Sequence, residues 1–253
     1  MNNIINYKPI FFQAINLLNQ VYLSYLFSLD TKSVKKNRQA GKSVILSYYN
    51  PSTKARWKER VKPITIGQEN ELRYQRWIKK NRAIVHRLSN NQIGYMHVRN
   101  MSDGSFREFL EDVMGDEVNK KALIVDTRFN GGGDLVDDLT TFLSGKQYMA
   151  FKTDKKTVGF ESQRRWTKPS IMLVGESNYS DAHCTPAGYK DLEIGKLVGM
   201  PVPGTCSFVW WERIQNGIVF GIPNLWVTDK AGDVLENKQL EPDIKVKNDF
   251  NRV

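Results

Sequence analysis

The chain has 253 residues, 40% hydrophobic and 11% aromatic, with 25% charged residues and a mean hydropathy of −0.48. This allows one large packed domain, or one and a half, of a soluble protein, and it excludes a stable membrane span, since no stretch reaches the roughly 18 apolar residues a span needs. The net charge of +10 is uneven: residues 1–90 hold 17 Lys/Arg against 4 Asp/Glu, and residues 91–253 hold 20 against 23. The basic surface therefore belongs to the front of the chain and reads as a solvated face, with no nucleic acid expected as partner.

Residues 1–31 form an N-terminal segment with a loosely helical apolar pattern, interrupted by Asn16, Asn19 and Gln20. No basic lead and no small-residue cleavage site accompany it, so it does not read as a signal peptide. Residues 32–66 hold a polar connection and two strand-like runs, residues 42–49 and 56–61, joined by Asn50-Pro51-Ser52-Thr53 turn chemistry. Residues 67–91 hold a connecting amphipathic helix over 69–88 that ends at Asn90-Asn91. His86 near its end suits the helix dipole and reads as structural.

From residue 92 to 253 the pattern is strand, helix, strand, helix. Strands are predicted at 93–98, 122–127, 171–174, 196–199 and 243–246, and helices at 102–114, 134–143 and 181–192. A hairpin is predicted over 209–222, with Asn216-Gly217 at a type I′ turn. Alternating strands and helices indicate an α/β domain with a largely parallel sheet.

Two turns in this domain could carry chemistry. The first is Gly175 to Asp181, which follows the apolar strand Ile171–Val174 and opens a helix. It would lift the Ser180 hydroxyl clear of the sheet beside unpaired first-turn amides. Serine is also a preferred N-cap, which is the plainer role for Ser180. The second is Arg128-Phe129-Asn130-Gly131-Gly132-Gly133, where the absence of Cβ atoms lets the backbone approach a ligand. It lacks the spacing of a dinucleotide fingerprint and the lysine of a P-loop. It could supply one amide of an oxyanion hole, with Asp181 supplying the other.

A nucleophilic serine needs a base, and the histidines are His86, His97 and His183. His183 lies three residues beyond Ser180 on the same helix, and His97 lies in a strand followed by a polar turn. Cys184 beside His183 reads as a small buried residue, because neighbours on a helix diverge. Cys184 and Cys206 form neither a disulfide framework nor a CxxC metal site, although one bridge between them is open. No metal and no cofactor are implied.

The blocks Gly94-Tyr95-Met96-His97-Val98, Ile124 to Gly133, Glu176 to Asp181, Leu197-Val198-Gly199, and Leu235-Glu236-Asn237 with Glu241-Pro242-Asp243-Ile244 resemble, in this order, the tail-specific (C-terminal processing) serine peptidases. Within them the chain is most similar to the tricorn-type branch, over residues 40–247. The resemblance implies an α/β fold, the ClpP/crotonase-like spiral of strand-helix units, with residues 42–62 as a partial PDZ-like β element in a chain shortened at its N-terminus. It implies hydrolysis of peptide bonds in a peptide or unfolded protein, through a Ser-His-Glu site and an acyl-enzyme intermediate. Ser180 would be the nucleophile, His97 the base, Glu236 the relay carboxylate, and Gly131 or Gly132 with Asp181 the oxyanion donors. Glu241 and Asp243 are rivals to Glu236. Met96 stands where the branch has a serine linking base to glutamate, and Lys190 is too far along the helix to be the lysine base of the other branch. A homo-oligomer, and a cytoplasmic or bacterial periplasmic setting, are also what the resemblance implies. The other class of function is a peptide-binding or scaffold remnant of the same family.

Overall fold

The computed structural model describes residues 39–247 apart from Pro51; the N-terminal segment 1–31 lies outside the described residues. The described residues divide between two compact units, with the division between Tyr74 and Gln75.

In the first unit, β1 (Val44–Tyr49) and β2 (Arg56–Val61) pair antiparallel, with Val44 opposite Val61 and Tyr49 opposite Arg56. Asn50 Oδ1 accepts the amides of Ser52 and Thr53, which closes the connection by the Asx chemistry its sequence offered. Two strands make up this sheet, and nothing in it identifies a PDZ domain. Helix α1 (Ile66–Leu88) begins here. Thr65 and Gln68 form a capping box: Thr65 Oγ1 accepts the Gln68 amide at 3.1 Å, and Gln68 Oε1 accepts the Thr65 amide at 2.9 Å. Asn90 and Asn91 follow the helix, both at positive φ, where asparagine is tolerated.

The second unit is built on a five-stranded parallel sheet of order β11-β8-β7-β4-β3. Its strands are β3 (Ile93–His97), β4 (Ala122–Asp126), β7 (Ser170–Val174), β8 (Lys196–Gly199) and β11 (Ile244–Lys245). Helices α2 (Asp103–Met114), α3 (Val136–Leu143) and α4 (Asp181–Asp191) alternate with them. Parallel strands need such crossovers and are covered by them, which is why Leu123, Val125, Met172, Val174 and Leu197 are buried apolar residues. They pack with Phe109, Val113, Leu139 and Phe142 of the helices into one core.

The C-terminal half of α1 lies along the outer strand β3. Arg82 Nε donates to the Tyr95 carbonyl, and Asn81 Nδ2 donates to Tyr95 Oη at 3.1 Å. His86 Nε2 sits 3.1 Å from the buried Glu117, so His86 is structural, as its position implied. Two antiparallel hairpins project from the sheet domain. One, β5 (Met149–Lys152) with β6 (Thr157–Glu161), is absent from the sequence expectations. The other, β9 (Ser207–Arg213) with β10 (Val219–Trp226), is the predicted one, with Asn216 and Gly217 both at positive φ. Its loop is three residues long, Gln215–Gly217, so the turn is not a two-residue type I′ turn. Among the described residues no helix is long and apolar enough to cross a membrane, and no cluster of three or more His, Cys, Asp or Glu could hold a metal ion.

Candidate active site

Ser180 sits at the N-cap of α4 with φ 55° and ψ −125°. A non-glycine residue at positive φ with such a ψ is strained, by about 1–3 kcal/mol, and persists only where its surroundings hold it. Three contacts hold this turn. The Ser180 amide donates to Thr205 Oγ1 at 3.0 Å. The Tyr179 amide donates to the Asn130 carbonyl at 3.0 Å. Asn178, which is buried, accepts the Gly175 amide and donates to Thr127 Oγ1 and the Ala182 carbonyl. That last bond has a covalent cause. Pro186 inside α4 has no N–H for the carbonyl four residues back, and Asn178 satisfies the Ala182 oxygen so exposed.

The Ser180 hydroxyl makes no capping bond to its own helix. The plainer role for this serine, an N-cap, is therefore not the one its side chain fills. The hydroxyl borders a cavity of about 370 Å³ lined also by Gly131, Gly133, Tyr179, Asp181, Cys184, Thr205, Ser207 and Glu236, with Phe208, Val209, Trp211 and Pro223 as an apolar wall from the second hairpin. A comparable cavity of about 400 Å³ lies at the C-terminal ends of the parallel strands, lined by Arg128, Phe129, Glu176 and Met200 among others. Ser180 does not line it.

The glycine turn packs directly on the serine turn. Gly132 has φ +95°, and a Cβ there would stand 2.7 Å from both Ser180 Cβ and the Tyr179 oxygen. Its own amide is engaged, however: it donates to Asn130 Oδ1 at 2.8 Å, and Asn130 Nδ2 in turn donates to the Val98 carbonyl. The Gly132 amide, expected with that of Gly131 as the alternative oxyanion donor, is thus engaged within its own turn, and Gly132 packs against the serine turn. Gly131 and Gly133 border the cavity instead. Asp181 is the first residue of α4, where a helical amide has no intrahelical acceptor.

Glu236 lies in the same cavity, and its Oε2 accepts the Ser207 hydroxyl at 2.8 Å. The rivals point elsewhere. Asp243 accepts the Leu197 amide at 2.8 Å, which lowers its pKa and fixes the last strand. Glu241 accepts from the Gln239 side chain.

His97 does not line the cavity. Its Nε2 donates to the Arg128 carbonyl at 2.9 Å, and its ring stands edge-on to Trp77 at 4.9 Å between centroids. Burial lowers its pKa, with the Arg128 carbonyl opposing. His97, expected as the base for Ser180, has its ring in a cluster with the Arg128 carbonyl and Trp77 at the outer strand. Met96 is buried in the core with Arg82 at its sulfur.

His183 is fully buried and accepts the Thr205 amide through Nδ1 at 3.1 Å, so its proton is on Nε2, a buried atom with no partner among the described residues. Burial lowers its pKa and Glu236 raises it in part. The sequence reading missed three residues here: Thr205, which joins Ser180 to His183; Ser207, which holds Glu236; and Asn178. Cys184 and Cys206 form a disulfide with a Cα separation of 5.3 Å. It bonds the start of α4 to the residue between Thr205 and Ser207, and takes up the pairing that the sequence left open.

The chain is 31% identical over 194 residues to the tricorn protease of Thermoplasma acidophilum, covering 72% of this chain and 17% of that protein. It is 29% identical over 194 residues to the tricorn protease of Thermoplasma volcanium, covering 72% of this chain and 18% of that one. The chain therefore spans less than a fifth of the length of either relative. Among solved structures, the crystal structure of the tricorn protease superposes with a TM-score of 0.70 at 26% identity, over 82% of this chain and 20% of that one. The sheet domain has the same α/β fold. The family model for "Peptidase family S41" matches residues 92–246, the span that carries the glycine turn, Ser180 and Glu236, and the chain belongs to that family.

Proposed function

We propose that the chain carries the nucleophile and oxyanion turns of a serine peptidase, which hydrolyses peptide bonds through an acyl-enzyme at Ser180. One observation carries this: a serine held at positive φ whose hydroxyl does not cap its helix and borders a cavity beside the Asp181 and glycine-turn backbone. Attack by that hydroxyl on a carbonyl would place the developing oxyanion against the Asp181 amide and the Gly131–Gly133 turn. Glu236 is the carboxylate available to a proton relay in this cavity, held by Ser207. The Ser180 proton would pass through a base to the departing amine as the C–N bond breaks, and water would then cleave the acyl ester to a free carboxylate and regenerate the hydroxyl. A Ser-His-Glu site with His97 as base requires the ring to leave the Arg128 carbonyl and Trp77. The substrate is a peptide or an unfolded chain, whose side chain would meet the apolar wall of Phe208, Val209 and Trp211.

A second reading, a peptide-binding member without turnover, is supported by the contacts that engage the His97 ring with the Arg128 carbonyl and Trp77. A fluorophosphonate reporter separates the two. Labelling and peptide hydrolysis that disappear in Ser180→Ala support the peptidase. A correctly folded wild-type protein that is never labelled, and binds peptides equally well with Ser180→Ala, supports the second reading.

A further inference from the structure

Helix α3 begins two residues after the glycine turn, and its N-cap, Leu135, has no side chain able to accept a hydrogen bond. The helix is capped from another part of the chain. The Leu135 amide donates to Asp181 Oδ2 at 2.7 Å. Asp181 directly follows the serine and opens α4. One residue thus offers its backbone amide at the cavity and its side chain to the helix that leaves the opposite turn. Its carboxyl is nearly inaccessible, and Oδ1 is buried with no partner among the described residues. Burying an acid with one oxygen unmatched is costly. A residue that merely filled space here would be apolar, whereas this one makes a bond that joins the two turns.

We propose that the Asp181 side chain is a positioning group of the Ser180 site: by accepting the Leu135 amide at the start of α3 it fixes the glycine turn against the serine turn, so that backbone amides from both face one carbonyl oxygen. This rests on the peptidase reading above. Displacement of an oxyanion donor by a fraction of an ångström weakens it in the transition state more than in the ground state, so the loss falls on kcat.

The test uses the full chain with Ser180 intact, a fluorophosphonate reporter, a p-nitrophenyl ester for kcat and KM, and hydrogen exchange of the Leu135 amide. Asp181→Ala is expected to lower kcat and the labelling rate about tenfold or more with KM within about threefold, and to speed Leu135 exchange about tenfold. Asp181→Asn keeps an acceptor oxygen in place and is expected to recover most of both losses. Asp181→Glu moves the carboxyl by one methylene and is expected to lose turnover while remaining folded. The proposal is overturned if Leu135 exchanges in Asp181→Ala as in wild type, or if its exchange rises while labelling and kcat per folded molecule do not change. A wild-type chain that neither labels nor turns over defeats the peptidase reading, and with it the catalytic part of this proposal. Leu135 exchange still decides whether Asp181 joins the turns.

Discussion

Thr205 holds Ser180 by its backbone: the Thr205 hydroxyl oxygen accepts the Ser180 amide at 3.0 Å, while the Thr205 amide donates to His183 Nδ1 at 3.1 Å. One residue of the loop before the second hairpin therefore supports both the strained serine and the buried histidine three residues beyond it. Thr205→Val keeps the shape and removes the acceptor. It should leave the Ser180 amide unpaired, costing about 1–3 kcal/mol of stability and slowing fluorophosphonate labelling about tenfold. Thr205→Ser should restore both. Thermal melts alongside labelling rates check this, and equal rates for Val and Ser would rule out the support.

The adjacent glycines should differ sharply. Gly131 has open space where a Cβ would go, and Gly132 has φ +95° with Ser180 Cβ and the Tyr179 oxygen 2.7 Å from that point. Gly132→Ala must displace backbone on both turns, so a loss of labelling of about a hundredfold is expected. Gly131→Ala should stay within a few fold. Similar losses for the two would mean that the contact between the turns does not set the site.

The parallel strands were legible because fully covered strands are short apolar runs, and β4 and β7 are such runs. The serine turn was legible for a related reason: an apolar strand leading into Ser180 and a helix leaves few other geometries. His97 was not. Gly94, Tyr95 and Met96 of β3 are all buried, so the period-2 alternation that would tell which face His97 takes is lost. What fixes its ring is Trp77, from a helix whose packing no local pattern gives. The β5–β6 hairpin was missed because its strands are four and five residues long and mostly exposed, with no apolar face to give a period-2 pattern. Asn178 did leave a trace: Pro186 six residues into a helix orphans the Ala182 carbonyl and calls for an outside donor.

The disulfide should matter to the site as well as to stability. Cys206 stands between Thr205 and Ser207, the residues that hold Ser180 and Glu236, and its partner Cys184 follows His183 in α4. Closing a loop of this size typically stabilises a fold by about 2–4 kcal/mol. Cys184→Ala with Cys206→Ala, or reduction by dithiothreitol, should lower the melting temperature by roughly 5–15 °C. The labelling rate measured well below that midpoint should fall too, since Thr205 and Ser207 lose their tether. Unchanged labelling in the folded double variant would show that the bridge serves stability alone.

Asp181 should leave a signature in the pH dependence of stability. Burial raises its pKa from 3.8 to about 6, with Asp134 adding to the rise and the amides of Leu135 and Val136 opposing it. A carboxyl whose folded pKa lies above its unfolded value binds its proton more tightly in the folded state. Its contribution is therefore most favourable below about pH 4 and is lost as pH rises through about 6. The loss is on the order of 2–3 kcal/mol. Asp181→Asn cannot titrate, so its stability should lack this fall, and the difference between wild type and variant should change between pH 4 and 7 and be flat outside that window. Denaturant titrations at half-unit pH steps give the curve. A wild-type fall of the same size retained in Asp181→Asn would assign the titration to another buried group and leave the Asp181 carboxyl ionised at the joint between the two turns.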